Sequence, residues 1–443
     1  MSDSLTLNSK NSGIAKEKSI FKDVFFWLLL VCIELVFLRV SFWRFLGPIM
    51  ACIFAYLYFI RKDTLLVTMF IVLAHYELKA VLISTVSFPQ LLIVFLCYEI
   101  ISKKEWNVTA TSLTTGILAV CMTVIPWLYG SITGEDVFYL LVYIFAILIQ
   151  CGKYKDDKDN LAQQLSLAIS VIVTLIALHA VITGGVEYAD MDDAEIIRRG
   201  VLGAGIGDPN FSCLLLSTGI VSALNCKKIY LWARIVMICL MLGAVVVTVS
   251  TTGLLALGVI AIVHALNSSK LTHKIRNVVI ILLLVVIATQ VYMSLPEKYR
   301  NEGIDSYVTR VDDKYQALTQ GDYTKVTTNR TDISERYLNY INNGQSFLKT
   351  LFGGNSVVPK AFVSRAISHI TYIDFLVQYG YVGTFLILLF IAYHFKKQYG
   401  NKEFMQYRNF AISMKILYLF FAFSISIYKE STFAMLFFTL FIL

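Results

Sequence analysis

Long apolar runs separated by short polar connections fill most of the chain, and one polar stretch, 296–369, interrupts them. Runs of this length fit a hydrocarbon core about 30 Å thick. They predict helices over 22–38, 45–60, 64–84, 88–102, 108–129, 136–151, 161–183, 208–226, 229–248, 252–267, 277–295, 370–395, 409–427 and 431–443. The expected fold is an all-α polytopic membrane protein of about 12–14 transmembrane helices with one large, partly helical extracytoplasmic loop. Four segments follow: a polar, disordered cytoplasmic tail at 1–19, transmembrane helices over 20–295, the loop 296–369, and C-terminal transmembrane helices over 370–443.

The polar connections carry an orientation. With the amino-terminal lysines inside, alternate connections hold Arg61-Lys62, Lys103-Lys104, Lys153/Lys155/Lys158, Lys227-Lys228, Lys270/Lys274/Arg276 and Lys396/Lys397/Lys402/Arg408. Short loops rich in Lys and Arg mark the cytoplasmic side. The intervening connections 85–87, 130–135 and 249–251 are nearly free of basic residues. The acidic connection 184–207 and the long loop then face outward.

Within the long loop the pattern changes from runs to stripes. Ile304, Tyr307, Val308, Val311, Tyr315 and Leu318 recur at helical spacing, as do Ile333, Tyr337, Leu338, Ile341, Leu348 and Leu351. Two amphipathic helices are expected, the second opened by an Asp332–Glu335 capping box and stopped at Gly353-Gly354. Long loops with internal order commonly form a lid or a binding wall.

Composition narrows the class. The chain of 443 residues is 57% hydrophobic and only 15% charged, too little charge to cover a water-soluble surface of that size. The net charge of +8 reads as a topology signal, so nucleic acid is not an expected partner. All eight cysteines fall in or beside predicted helices with no CxxC pair, which argues against disulfides and structural zinc. No P-loop, GxSxG or HExxH is present, and neither a metal nor another cofactor is expected.

Candidate chemistry gathers on the outward connections. Arg198, Arg199, Arg330, Arg336 and Arg365 lie there, and guanidinium groups suit phosphate because they donate paired hydrogen bonds and keep their charge. Converging arginines could neutralise a lipid pyrophosphate as it leaves a sugar, without a metal. Each arginine alone also fits a solvated or headgroup-contacting charge. His369 stands where the loop meets helix 370–395, with Asp374 just over a turn further in. A histidine beside a carboxylate could accept a proton from a sugar hydroxyl; equally, it could be a helix-start histidine held by backbone. Asp208-Pro209-Asn210 opens helix 208–226 after Gly203, Gly205 and Gly207, ordinary capping chemistry in which Asn210 is placed toward the outer cavity. Glu34, His75, Glu77, Lys79 and Lys415 lie inside predicted spans, where ionisable groups need partners and also suit a transporter.

Three pieces over about 195–395 give the chain a resemblance to the O-antigen polymerase and O-antigen ligase superfamily of bacterial membrane glycosyltransferases. Arg198/Arg199, Gly203 and Asp208-Pro209-Asn210 resemble its arginine, glycine and helix-opening motif. Asn329-Arg330, Tyr337 to Leu351 and Phe352-Gly353-Gly354-Asn355 resemble its loop arginine, amphipathic helix and glycine turn. Ser368-His369, Tyr372, Asp374-Phe375-Leu376, Tyr379-Gly380 and Val382-Gly383 resemble its histidine-bearing helix. The chain departs from the pattern at Ile370, where the family often has Asn, and at Ser250-Thr251-Thr252-Gly253, which lacks an arginine after the serine.

The resemblance implies a membrane-embedded, GT-C-like fold in the bacterial cytoplasmic membrane, with its active face extracytoplasmic. Donor and acceptor would be glycans on undecaprenyl pyrophosphate, transferred with inversion and without metal. Arg330 with Arg198 or Arg199, and Arg336, would bind pyrophosphate. His369 would act on the acceptor hydroxyl beside Asp374, and Asp208, Asn210, Arg365 and Tyr372 would line the substrate. A chain-length regulator and membrane lipids are the implied partners. Polymerisation of lipid-linked repeat units is the leading expectation. Ligation to a lipid A-core or other acceptor is the alternative within the family. A lipid-linked oligosaccharide flippase is the alternative from another class, although the ordered loop and the lack of repeated halves speak against it.

Overall fold

The computed structural model describes residues 158–183, 209–247, 250–266, 304–322, 330–354, 370–400 and 405–425, with isolated positions and short pieces outside these runs. The described part is helical apart from a minimal antiparallel pairing of β1 (Val81–Ile83) with β2 (Val86–Ser87). That hairpin replaces the predicted end of helix 64–84, where the β-branched sequence Val-Leu-Ile-Ser-Thr-Val favours extended backbone.

Five helices form the bundle: α1 (Lys158–Thr183), α2 (Pro209–Asn225), α3 (Leu231–Val247), α4 (Thr251–Leu266) and, at the far end of the chain, Met405–Phe421. α2 is the centre, buried at every position from Phe211 to Ala223 and packed by the other four. Its small polar residues make that possible. Thr218, Ser222 and Asn225 return their side-chain donors to carbonyls one turn back, at 2.7–2.8 Å, so close packing does not strand them. At Gly219 a methyl group would lie 2.6 Å from Val173 of α1 and from Met241 of α3. The glycine therefore sets how near both neighbours come.

The loop region contributes α5 (Ile304–Thr319), α6 (Arg330–Asn343) and α7 (Phe347–Phe352). The second predicted stripe is thus two helices. Gly344 donates to Tyr340 and closes α6, and Ser346 restarts the chain. Asp332 is not a cap: α6 already begins at Arg330, so the carboxylate lies in the first turn against the positive end of the helix dipole.

α8 (Thr371–Gly400) precedes α9 (Met405–Phe421). α8 is the one described helix long and apolar enough to cross a membrane; α2, α3 and α4 are apolar but shorter. The sequence predicts one continuous helix there, yet the chain breaks at Gly380 (φ 63, ψ −172). Gly354 donates to the carbonyl of Gln378 at 3.0 Å, so the end of α7 docks into the break. The break also solves a length mismatch. Gln398 bonds Tyr407 and Lys415, while Tyr372 reaches Leu419. A straight helix would separate 372 from 398 by about 39 Å, against about 18 Å from 407 to 419 at 1.5 Å per residue. The first nine residues of α8 are kinked away from the rest of the helix at Gly380, which eases that difference.

The two ends of the bundle differ. At one, Gln163 accepts from the Lys227 amide at 2.7 Å and Asp159 accepts from the Tyr407 amide at 2.8 Å, capping the first turn of α9. This end carries Lys227, Lys228, Lys396, Lys397 and Arg408 on its connections and helix ends. The other end gathers the starts of α2, α4 and α8 with the end of α9.

Candidate functional site

Ser250 ties the first two of those starts together. Its hydroxyl caps α4 by accepting from the Gly253 amide at 3.2 Å and donates to Asn210 Oδ1 of α2 at 2.9 Å. A methyl at Gly253 would fall on the Cys213 sulfur and within 3.4 Å of the Phe421 ring. α2 and α4 therefore pack closely here, with the Phe421 ring of α9 against them.

The start of α8 is clamped on the end of α9. The Thr371 amide donates to Ala422 O at 2.9 Å, its hydroxyl donates to Ile425 O at 2.6 Å, and it accepts from the Ile427 amide at 2.9 Å. Tyr372 bonds Leu419 O at 3.0 Å and lays its ring 4.6 Å from that of Phe423. Tyr372, expected to line the substrate, has its hydroxyl and ring engaged by the α9 end.

Inside this clamp sits a buried polar pair. Ser368 and Asp374 are 0% and 3% exposed, and the Ser368 hydroxyl lies 2.8 Å from Asp374 Oδ1. The same hydroxyl accepts from the Ile370 amide at 3.0 Å, and the Asp374 amide donates to Ile370 O at 3.1 Å. Asp374 thus holds Ser368 through its carboxylate and Ile370 through its backbone amide.

Above it lies α6. Tyr337, Tyr340 and Ile341 pack with Ile373 and Val377 of α8 and with Val358 in one apolar cluster. Burial pushes the Tyr337 phenol up to about 12, and the Asp374 carboxylate adds to the shift. Burial likewise raises Tyr340. Arg330 is half-buried and lies seven residues before Tyr337, hence on the same helix face. Arg336 is exposed and lies roughly 120° around the helix from Arg330 at about 100° per residue. The two loop arginines expected to bind pyrophosphate therefore lie on different faces of α6.

Of the sequence candidates, Arg330, Asp374, Asn210 and Tyr372 belong to elements that meet at this end of the bundle. Arg198, Arg199, Asp208, Arg365 and His369 lie outside the described residues, as do Glu34, His75, Glu77 and Lys79. Lys415 is fully buried and donates to Gln398. Among the described residues no cluster of His, Cys, Asp and Glu could hold a metal ion. Sequence reasoning gave no role to Thr371, Ser368 or Ser250. Ser250 was findable as the cap three residues before Gly253; nothing in the sequence marks the partners of Thr371. No protein-family model matches the chain, and no curated protein matches it.

Proposed function

We propose that this protein is a polytopic glycosyltransferase of the bacterial cytoplasmic membrane that polymerises lipid-linked polysaccharide repeat units, of O-antigen or capsular type. A growing glycan passes from undecaprenyl pyrophosphate to a new lipid-linked unit at the extracytoplasmic face, with inversion and without metal or other cofactor. The observation that carries the reading is convergence. Three stretches far apart in sequence, around Asn210, Arg330–Tyr337 and Ser368–Asp374, belong to elements that come together at one end of a helical bundle. Among the described residues, Lys227, Lys228, Lys396, Lys397 and Arg408 gather at the opposite end, which supports a cytoplasmic assignment for it.

The packing supports a membrane setting. Buried positions of α2 are rich in Ser, Thr and Gly, while Trp232, Ile235, Leu255, Ile262, Phe385 and Leu389 face outward, each at least half exposed. Small and polar inside with large and apolar outside is the distribution of helices packed in lipid.

In the proposed mechanism Arg330, with Arg198 or Arg199, neutralises the donor pyrophosphate as the bond to sugar C1 breaks. His369 takes the proton of the attacking acceptor hydroxyl. Asp374 acts through Ser368 and Ile370, the two neighbours of His369, as a positioning residue. The exposed Arg336 contributes less than the half-buried Arg330.

The test is the size profile of lipid-linked and surface glycan in a strain lacking the gene. Glycan collapsed to a single repeat unit, restored by wild type and by Arg336→Ala but not by Arg330→Ala, is the expected outcome. Long glycan retained on undecaprenyl would identify a ligase, and units trapped on the cytoplasmic side a flippase. Full activity of normally expressed Arg330→Ala or His369→Ala would remove those residues from the mechanism.

A further inference from the structure

α7 is a six-residue helix with no buried side chain. Phe347 is 74% exposed and Leu348 48% exposed, an outward apolar pair in the part of the loop that touches α8. Composition alone would leave this patch without an assigned partner. Its location supplies one.

α7 is fixed to α8 at a defined height. Gly353 lies so close to the Gln378 carbonyl and to Tyr379 that any side chain there would collide, at 2.6 Å from Tyr379 Cα. Gly354 donates to Gln378 O, and Tyr381 donates to Asn342 Oδ1 of α6 at 2.9 Å. α7 and the end of α6 therefore sit at the Gly380 break.

The break marks a boundary in α8. From Tyr381 to Gly400 the second half-helix is about 30 Å long at 1.5 Å per residue, the thickness of a hydrocarbon core. Its outward side reads Tyr381, Val382, Phe385, Leu388 and Leu389, all exposed, and ends in exposed Lys396 and Lys397. A tyrosine at one end and lysines at the other are the usual interfacial anchors of a span. The exposed apolar surface of α7 adjoins the tyrosine end of that strip.

We infer that α7 is an interfacial anchor: Phe347 and Leu348 insert among the acyl chains and headgroups of the outer lipid leaflet and tether the loop to the membrane surface. This inference rests on the membrane reading above. It adds a role for the lipid, which holds α6 and its Arg330 at headgroup height, where the pyrophosphate of a lipid-linked substrate lies. The anchor is shallow and rigid, because the glycine contacts at Gly353 and Gly380 prevent α7 from lifting away from α8.

Site-specific photocrosslinking of the full chain in phospholipid nanodiscs tests it. p-Benzoylphenylalanine replaces Phe347, Leu348, Phe385 or, as a solvent-facing control, the exposed Asn339 of α6. Lipid adducts, read by mass, are expected at 347, 348 and 385, with a loss of that signal at 339. Lipid adducts at 385 without any at 347 and 348, or protein adducts there instead, would overturn the anchor and leave the membrane reading standing. No lipid adduct at 385 either would overturn both.

Discussion

Replacing Gly380 by alanine attacks the joint between loop and helix. The glycine holds φ 63 and ψ −172, a region that residues with a Cβ occupy only under strain of about 1–3 kcal/mol. The added methyl would also lie 2.5 Å from the Gly353 amide nitrogen and closer still to the Leu351 carbonyl oxygen. Two relaxations are open, and both are costly. If α7 withdraws, the Gly354–Gln378 bond is lost, worth roughly 0.5–1.5 kcal/mol. If α8 straightens instead, helped by the ~1 kcal/mol preference of alanine for helix, the start of α8 is pulled from Leu419, Ala422 and Ile425. Strain and the first of these losses together make Gly380→Ala about 1.5–4.5 kcal/mol less stable. Denaturant unfolding in mixed micelles measures the total, and amide exchange at Gly354 reports the joint itself. Gly400→Ala is the control, since nothing lies within 4 Å of its added methyl. Unfolding of Gly380→Ala coincident with wild type, with Gly354 still protected, would refute the reasoning.

At the other close approach, Gly253→Ala forces its methyl onto the Cys213 sulfur and costs about 1–3 kcal/mol, the usual range for overpacking. Cys213→Ala in the same chain removes that sulfur and should recover part of the loss; no recovery by denaturant unfolding would mean that α4 had shifted bodily. Ser368→Ala takes from the buried Asp374 carboxyl a hydrogen bond worth about 0.5–1.5 kcal/mol, and Ser368→Thr keeps it. The alanine variant should therefore lower kcat of glycan extension with little change in KM, and the threonine variant should not; equal activity of the two would detach the hydroxyl from the mechanism. Tyr337 is protonated in both folded and unfolded chains below its ordinary value of 10, so it confers no pH dependence there. Above that value the unfolded phenol ionises first, and stability falls as pH climbs toward about 12. Thermal unfolding of Tyr337→Phe across that window should decline less steeply than wild type, and parallel curves would show that another group is responsible.

Helix positions were the most legible part of the sequence. The predicted 161–183, 208–226, 229–248 and 252–267 differ from α1 to α4 by at most three residues at either end, because apolar length and the flanking Asp-Pro, Lys-Lys and Ser-Thr sequences mark their limits. Breaks inside apolar or striped segments were not legible. Gly380 looks like any glycine in a membrane helix until Gly353 is seen against it, and Asp332 looks like a cap until α6 is seen to start two residues earlier. The candidate site was legible as residue types and only partly as geometry. Arg330 and Asp374 belong to elements that meet, but Tyr372 is taken up by the α9 end and Arg336 by a different face of α6. Both outcomes depend on rotation about a helix axis, which a motif's spacing constrains only when its neighbours are known.

At each glycine of the joint, backbone beside the other glycine stands where a side chain would go. A Cβ at Gly353 would meet the backbone of Gln378 and Tyr379, and one at Gly380 the backbone of Leu351 and Gly353. Neither position can accept a side chain while the other keeps its backbone in place, so the pair behaves as one inherited character written in two places. An insertion of one residue between 344 and 353 would slide Phe352 into the notch, and a deletion of two would bring Asn355 there, and either would unseat α7. Among divergent copies of this chain, that short stretch should therefore hold its length, and loss of one glycine should be accompanied by loss of the other or by a straight eighth helix.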